Sequence, residues 1–576
     1  MAILTSPTDG RTEEQAYARR WWTLAVLCLS LLIVFGGNST LNVALPTLSR
    51  DLGASESQLQ WVVAIYSLVF AGLLFTSGAL GDRFGRKGAL QFGLATFFLA
   101  SLFASQASDI TQIIACRAAM GVGAAFIMPA TLSILVNVFP PRERAKAIAI
   151  WATTTGIAGS VGPVITGWVL GHFWFGSAFL VYLPVIAVAF VGGWFFVPKS
   201  RDPNESAIDP LGAVLSIVGV SALVYGFIEA PDKGWGAPVT VGAFAVAIVV
   251  LTLFVLWELH TDEPMLDMRY FRNPAFSVGS GAMMLVFLAM YGVMLLMTQY
   301  FQLVLGFSAL DTAIRLLPIA VIMLVVTPFT PRIVQRFGGN RSVAFGMGLI
   351  ALGFGLFTQL TIHTPFWFCW VCLAPLMTGV SLSMAPMTAS IMSAVPESRA
   401  GAGSAMNDAT REFGAALGIA VLGSIAASQY SSHLHDALQK IPASARGTAS
   451  ASIAGALQVA ETLPARAGNA FATTAQTAFV DGIHVAAMFG VGLAIVAALV
   501  TRRFLPKAVA EVGPMHSAAE ALENAAELGL GGAMPIFPDH TPAPAVEAAV
   551  EAAIAAPPRA RADSLPRVDG PIRSSP

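Results

Sequence analysis

Long apolar runs alternate with short polar connections from residue 22 to residue 505 of the 576-residue chain. A helix needs about 20 apolar residues to cross hydrocarbon, so the pattern predicts about fourteen spans. They fall near residues 22–43, 59–80, 88–105, 110–138, 147–170, 176–197, 211–227, 239–259, 275–301, 313–331, 342–361, 366–388, 404–427 and 482–505. Lys and Arg gather before Trp21 and in every second connection after it: Arg83/Arg86/Lys87, Arg142/Arg144/Lys146, Lys199/Arg201, Arg269/Arg272, Arg332/Arg336/Arg341 and Arg502/Arg503/Lys507. About twenty basic residues lie there against about five elsewhere, which places both termini in the cytoplasm.

Composition agrees with the pattern. Hydrophobic residues make up 56% of the chain and charged residues 11%, and mean hydropathy is +0.71. A soluble domain carries about a quarter charged residues, so the chain reads as an all-α, multi-pass protein of the cytoplasmic (inner) membrane. A net charge of −1 gives no reason to expect nucleic acid as a partner. The start carries Glu13 and Glu14 and no cleavage-like site, so the first span is expected to be the targeting signal itself. Cys28, Cys116, Cys369 and Cys372 all lie in apolar runs, where they read as buried packing thiols.

An internal repeat organises the spans. Met128-Pro129-Ala130-Thr131-Leu132-Ser133-Ile134 returns as Ala385-Pro386-Met387-Thr388-Ala389-Ser390-Ile391, with Arg142 then opposite Arg399. At nearly the same offset Arg83-Phe84-Gly85 returns as Arg336-Phe337-Gly338, with Gln335 in the place of Asp82. Two related halves fit a pair of six-helix bundles with a binding site between them. The expected division is a tail over 1–20, a first bundle over 21–197, a linker with two extra spans over 198–262, and a second bundle over 263–505. The second bundle includes a long extracytoplasmic loop, 428–480, with a short amphipathic helix near 453–460. Residues 506–576 are Ala-, Pro- and Glu-rich and read as disordered, apart from a helix start at Ser517 with Glu520.

The connection after the second span, Gly78-Ala79-Leu80-Gly81-Asp82-Arg83-Phe84-Gly85-Arg86-Lys87, must turn at once, and its glycines permit that. It resembles the signature loop G-x-L-a-D-R-x-G-R-k of major facilitator superfamily transporters. Thr40-Leu41-Asn42-Val43-Ala44-Leu45-Pro46, Arg117-Ala118-Ala119-Met120-Gly121-Val122-Gly123, and Gly156, Gly159, Gly162, Pro163 and Gly167 resemble elements of its fourteen-helix drug:proton antiporters. So do Tyr300-Phe301-Gln302-Leu303-Val304-Leu305-Gly306 and the run Gly401-Ala402-Gly403-Ser404-Ala405-Met406-Asn407-Asp408. Exporters of quaternary ammonium compounds and methyl viologen are the most similar members. The resemblance implies the major facilitator fold with two added helices and proton-driven export of amphipathic small molecules. It implies no enzymatic activity and no cofactor, with the proton gradient as energy source and the bilayer, protons and substrate as partners of a monomer.

It also assigns residues. Gly81, Asp82, Arg83, Gly85 and Arg86 would form the conformational switch, and Gly159, Gly162, Pro163 and Gly167 the antiporter element of the fifth span. Arg117 stays charged inside a span and needs a carboxylate, a carbonyl or water; it reads as a coupling residue or as a clamp between helices. Asp408 and Glu412 stand one turn apart, so they share a face and repel, and at least one is expected to hold a proton readily; the resemblance favours Asp408, because the family more often has an acid there. The competing reading is a hydrated pair neutralised by Arg399 or Arg411, the latter projecting away. Asn38, Asn42, Tyr66, Met290, Tyr291, Met294 and Met377 are substrate-binding candidates, the methionines because flexible thioethers accept many shapes; plain helix packing is the alternative for them. The aspartate that cation-exporting relatives carry before N-V-A-L-P is Gly37 here, which puts a strong preference for dications in doubt. His433 and His435 read as solvated, so no metal site is expected. The absence of a Walker-type sequence argues against direct ATP drive. Two rivals follow: an exporter of an endogenous lipid, siderophore or antibiotic, and a membrane sensor that does not transport.

Overall fold

The computed structural model describes residues 18–200, 209–261, 264, 266–395 and 400–506. Both tails, the Ser517/Glu520 helix start and Arg399 lie outside the described residues. Within them every regular element is helical. The major helices are α1 Arg20–Leu52, α2 Glu56–Phe84, α3 Arg86–Ser105, α4 Ile110–Val138, α5 Pro141–Leu170 and α6 Leu183–Phe196, the last preceded by a single turn at Ser177–Leu180. They continue with α7 Pro210–Lys233, α8 Pro238–His260, α9 Pro274–Gln299, α10 Ala309–Val326, α11 Gly339–Phe357, α12 Phe366–Ser393, α13 Ala400–Leu438 and α14 Ala465–Phe504. Thirteen helical segments are long and apolar enough to cross a membrane. The remaining long helix, α5, has its apolar part at Ile157–Leu170.

Local chemistry sets many of these boundaries. Ser55 and Gln58 form a reciprocal capping box that opens α2. Proline occupies the first turn of α5, α7, α8 and α9, where its missing donor has no partner to lose. Gly85 (φ +119°) is the single residue between α2 and α3, and Gly338 (φ +86°) the single residue between a short helix, Thr330–Phe337, and α11.

The 428–480 loop is shorter than expected. α13 continues to Leu438, burying Tyr430 and Leu434, and α14 begins at Ala465, where its Ala-rich extension is a strong helix former. The remaining connection holds two short helices, Ala443–Ala451 and Ile453–Thr462. The second buries Ile453, Ala454, Ala456, Val459 and Ala460, so an amphipathic helix does stand near 453–460.

Two apolar cores form. One gathers α1 to α6 with part of α7 and takes in Leu295 of α9 and Ala409, Ala416, Ile419 and Ala420 of α13, and the other gathers α9 and α11 to α14. The repeat is visible in their packing. A Cβ at Gly93 would meet the Gly123 carbonyl oxygen at 2.7 Å, and a Cβ at Gly346 would meet that of Gly379 at 2.8 Å. Each pair lets two helix backbones approach closely, α3 on α4 and α11 on α12. Thr131 accepts a hydrogen bond from Trp151 Nε1 at 3.3 Å, and its counterpart Thr388 accepts one from Arg411 at 3.2 Å.

The extra pair α7–α8 joins both halves, because α7 packs on α2 and on α13. Trp61 Nε1 donates to Glu229 at 3.1 Å and Ser57 to Asp232 at 2.7 Å, while Trp235 Nε1 donates to Ser428 at 3.1 Å. α8 turns most of its surface outward as apolar side chains, suited to lipid.

Candidate functional site: a polar cluster at the seam between the halves

Arg117 is the largest side chain with no solvent exposure. From α4 its Nε donates to the Val62 carbonyl at 3.0 Å, its Nη2 donates to Asn38 Oδ1 at 3.1 Å, and its guanidinium lies 4.3 Å from the Tyr66 ring centre. Tyr66 is fixed in turn by its hydroxyl, which donates to the Val34 carbonyl at 2.9 Å. One arginine therefore ties α1, α2 and α4 together within the first half. The same side chain lies within electrostatic reach of Glu412 and Tyr291 from the second half. The clamp and the coupling geometry coexist.

Glu412 on α13 is 7% exposed and one of its carboxylate oxygens has no hydrogen-bond partner. Ser67, Asp408, Arg411 and Arg117 surround it. Arg411 does not project away as expected. An i, i+3 spacing puts it on the Asp408 face, and the two pair at 3.6 Å. Arg411 also donates to Thr388 at 3.2 Å and lies over the Phe287 ring at 5.6 Å. Asp408 thus has a cation of its own, whereas Glu412 faces the seam.

The structure brings Asn38, Tyr66, Arg117, Tyr291, Asp408 and Glu412 into one neighbourhood. Tyr291 stacks on Phe287 and lies beside Asn38 and Glu412. Asn42 stands one turn from Asn38 and is half-buried. Met290 and Met294 are partly buried against the second core. Met377 is fully buried within the second core. A side chain at Gly37 would meet Phe97 at 3.2 Å on α3, so that position points into the first half.

The α5 glycines divide by role. A Cβ at Gly162 would meet Tyr182, Thr40 and the Gly36 backbone within 3.2 Å, which closes α1 on α5. Gly167 meets Ala309 and Leu310 of α10 across the seam, with a Cβ-to-Cα distance of 2.7 Å. Gly159 has open space around it. Pro163 sits inside α5 and removes a backbone donor there.

At the signature loop Arg86 Nε pairs with Asp82 Oδ1 at 2.7 Å. The Gly85 N–H bonds the Gly81 carbonyl, and the Arg86 N–H bonds that of Ser200 at 3.0 Å. Lys87 donates to the Trp194 carbonyl at 2.8 Å, so the loop is tied to the end of α6. A part-exposed ion pair adds only about 0–1 kcal/mol to stability. Asp82→Asn is therefore expected to leave insertion and substrate binding intact while abolishing transport, by removing a charge that pairs in one conformation. Parallel binding and uptake assays check this; normal uptake by the variant would remove Asp82 from the switch.

Sequence reasoning passed over Glu56, Gln60 and Ser67, and gave Gln299 no role of its own. Uncharged amides inside apolar runs were the available signal. The four cysteines are free, and Cys369 and Cys372 are fully buried. His433 pairs with Asp481 at 3.0 Å rather than with His435 or Asp436.

The site is thus a buried arginine of one bundle near a buried carboxylate of the other, between two repeated halves. The Major Facilitator Superfamily family model matches residues 27–419, and the chain belongs to that family. It is a multi-pass membrane transporter, not an enzyme. The chain is 34% identical over 496 residues to the multidrug efflux pump LfrA of Mycolicibacterium smegmatis, covering 86% of this chain and 97% of that one. It is 33% identical to the methyl viologen resistance protein SmvA of Salmonella typhimurium, over 80% and 93% of the two chains. To the tetracenomycin C resistance and export protein of Streptomyces glaucescens it is 30% identical, over 84% and 91%. Among solved structures, an inward-facing bacterial homologue of the human lysosomal transporter Spinster superposes with a TM-score of 0.58 at 17% identity, over 85% of this chain and 98% of that one.

Proposed function

We propose that the protein expels amphipathic small molecules from the cytoplasm in exchange for protons, by alternating access. The observation that carries this is Glu412, a nearly dry carboxylate of the second half, with an oxygen unpartnered, facing Arg117 of the first. A proton arriving there changes the charge at the seam and hence the relative stability of the two conformations, which a coupled carrier requires. In this reading there are fourteen spans, with both termini and the Asp82 loop cytoplasmic. Residues 21–197 and 263–505 are the moving bundles and 198–262 the inserted pair. The carrier works as a monomer in the cytoplasmic membrane and uses the proton gradient without a cofactor. The names of LfrA and SmvA support a drug or antiseptic as cargo.

One rival has support of its own. Gly37 leaves the first span without the carboxylate that cation-exporting relatives carry there, and the tetracenomycin C relative is named for the resistance to and export of that compound. A susceptibility profile of deletion and overexpression strains against cationic, neutral and anionic amphipaths separates the two. Overexpression is expected to raise resistance to several unrelated amphipaths together. Resistance confined to one natural product would favour the rival, and no change for any compound would contradict both.

A further inference from the structure

The end of α9 is irregular in a way the coupling site does not use. From Tyr300 to Val304 the helix widens into a π-helical turn, with the Leu305 N–H bonded to the Tyr300 carbonyl at 3.0 Å. That turn is anchored firmly in the second half. The Tyr300 hydroxyl donates to the Thr361 carbonyl at 2.7 Å, and Gln476 of α14 donates to the Leu303 carbonyl at 3.1 Å. From this base two glutamines cross to the first half. Gln299 Nε2 donates to Glu56 of α2 at 2.9 Å, and Gln302 Nε2 donates to the Val43 carbonyl of α1 at 3.0 Å. Ser49 with Ser452, and Gln458 with the Arg50 carbonyl, join the halves at the same end of the bundle, at 3.0 and 3.1 Å.

Polar bonds between two otherwise apolar bundles could be permanent staples, but the amides argue otherwise. Gln299 is 1% exposed and its Oε1 has no partner. Gln60, one turn beyond Glu56, is fully buried against Gly423 of α13, and neither its Oε1 nor its Nε2 has a partner. Buried polar atoms are paired as a rule, because leaving one unpaired forfeits its hydration. The two glutamines thus gain two of the four hydrogen bonds that close this end, while three amide atoms are stranded, all of which water would satisfy once the end opened. Such a contact closes specifically but holds weakly. π-Turns occur mostly at functional positions, which fits a segment that must re-form its contacts each cycle.

We infer that Gln299 and Gln302, presented by the π-helical turn to Glu56 and the Val43 carbonyl, are the latch of the extracytoplasmic gate, which breaks when substrate is released outside. The inference rests on the proposed orientation, which sets that end of the bundle outside. Asp232 on α7 and Tyr430 on α13 also lie within electrostatic reach of Glu56, so the latch has an acidic and a phenolic neighbour.

The test places spin labels through Ser108→Cys on the first half and Thr473→Cys on the second, both exposed, in full-length protein lacking its four natural cysteines. Distances are measured in lipid without substrate or pH gradient, so the reading is independent of cargo and of proton coupling. Gln302→Ala and Gln299→Ala are each expected to raise the long-distance, outward-open population roughly three- to tenfold, the equivalent of one net hydrogen bond. Glu56→Gln retains an acceptor oxygen and is expected to stay near the parent, whereas Glu56→Ala shifts with the others. Gln476→Ala loosens the same turn only within its own half and is expected to leave the distribution unchanged. Parent-like distances in both glutamine variants, or an equal shift from Gln476→Ala, would overturn the latch. Monodisperse elution of each variant confirms that folded protein is compared.

Discussion

Asp408→Asn and Glu412→Gln are expected to split efflux from the proton gradient, with Glu412→Gln giving the fuller loss. Both substitutions keep shape and hydrogen bonding and remove only the charge and its proton. The two positions differ in surroundings. Asp408 has Arg411 at 3.6 Å and a side chain 22% exposed, whereas Glu412 is 7% exposed and looks across the seam to Arg117. A carboxylate already paired on its own helix changes little when the halves move. One that faces the other half gains and loses its neighbour with every cycle. This reverses the preference for Asp408 that family resemblance alone suggests. Couplings between sites amount to about 1–3 kcal/mol, so the gradient-driven component of efflux should fall roughly 5- to 150-fold. Substrate exchange at equal pH needs no net proton movement and is expected to persist. Parent-like response to a pH gradient in both variants would move coupling away from α13.

Arg117→Ala is expected to remove transport and to lower stability as well. It deprives Asn38 Oδ1 of its donor in a dry interior, at about 1–3 kcal/mol, and takes a second donor from the Val62 carbonyl, which keeps its partner within α2. It also empties the space under Tyr66 and leaves Glu412 without the first half's cation, Arg411 of its own helix remaining. Arg117→Lys separates the two consequences. A lysine retains the charge but lacks the planar fork that reaches two acceptors at once. The lysine protein is expected to insert and unfold near the parent temperature while transporting poorly, and the alanine protein to be defective in both. Equal transport by parent and lysine proteins would mean that the charge alone matters, not the three-helix clamp. Thermal unfolding in detergent, run beside uptake, reads both.

Much of this architecture was legible in the sequence because lipid enforces a simple rule. Apolar runs must become helices, and their lengths and the basic connections locate them. The repeat was equally readable: Gly85 and Gly338, matched by sequence alone, share a left-handed backbone and the same helix-to-helix junction. What the pattern could not convey was the distance between residues on different helices. The partners of Arg117 lie 55 and 79 residues away, and periodicity along one helix says nothing about its azimuth towards another. The burial of Met377 in the second core was beyond the pattern's reach for the same reason. Arg411 was misjudged more locally, since an i, i+3 neighbour shares a face even when an adjacent residue does not. The gate amides escaped notice because a glutamine inside an apolar run carries no charge to mark it.

The most direct test of proton-coupled efflux uses everted membrane vesicles with an acid interior, in which outward export in the cell becomes accumulation. Uptake of radiolabelled methyl viologen and of a fluorescent amphipathic monocation is followed before and after a protonophore collapses the gradient. Accumulation that depends on the parent protein, ceases on collapse, and is absent with Glu412→Gln is the expected result. Accumulation by the parent protein that is indifferent to the gradient would contradict a proton antiporter.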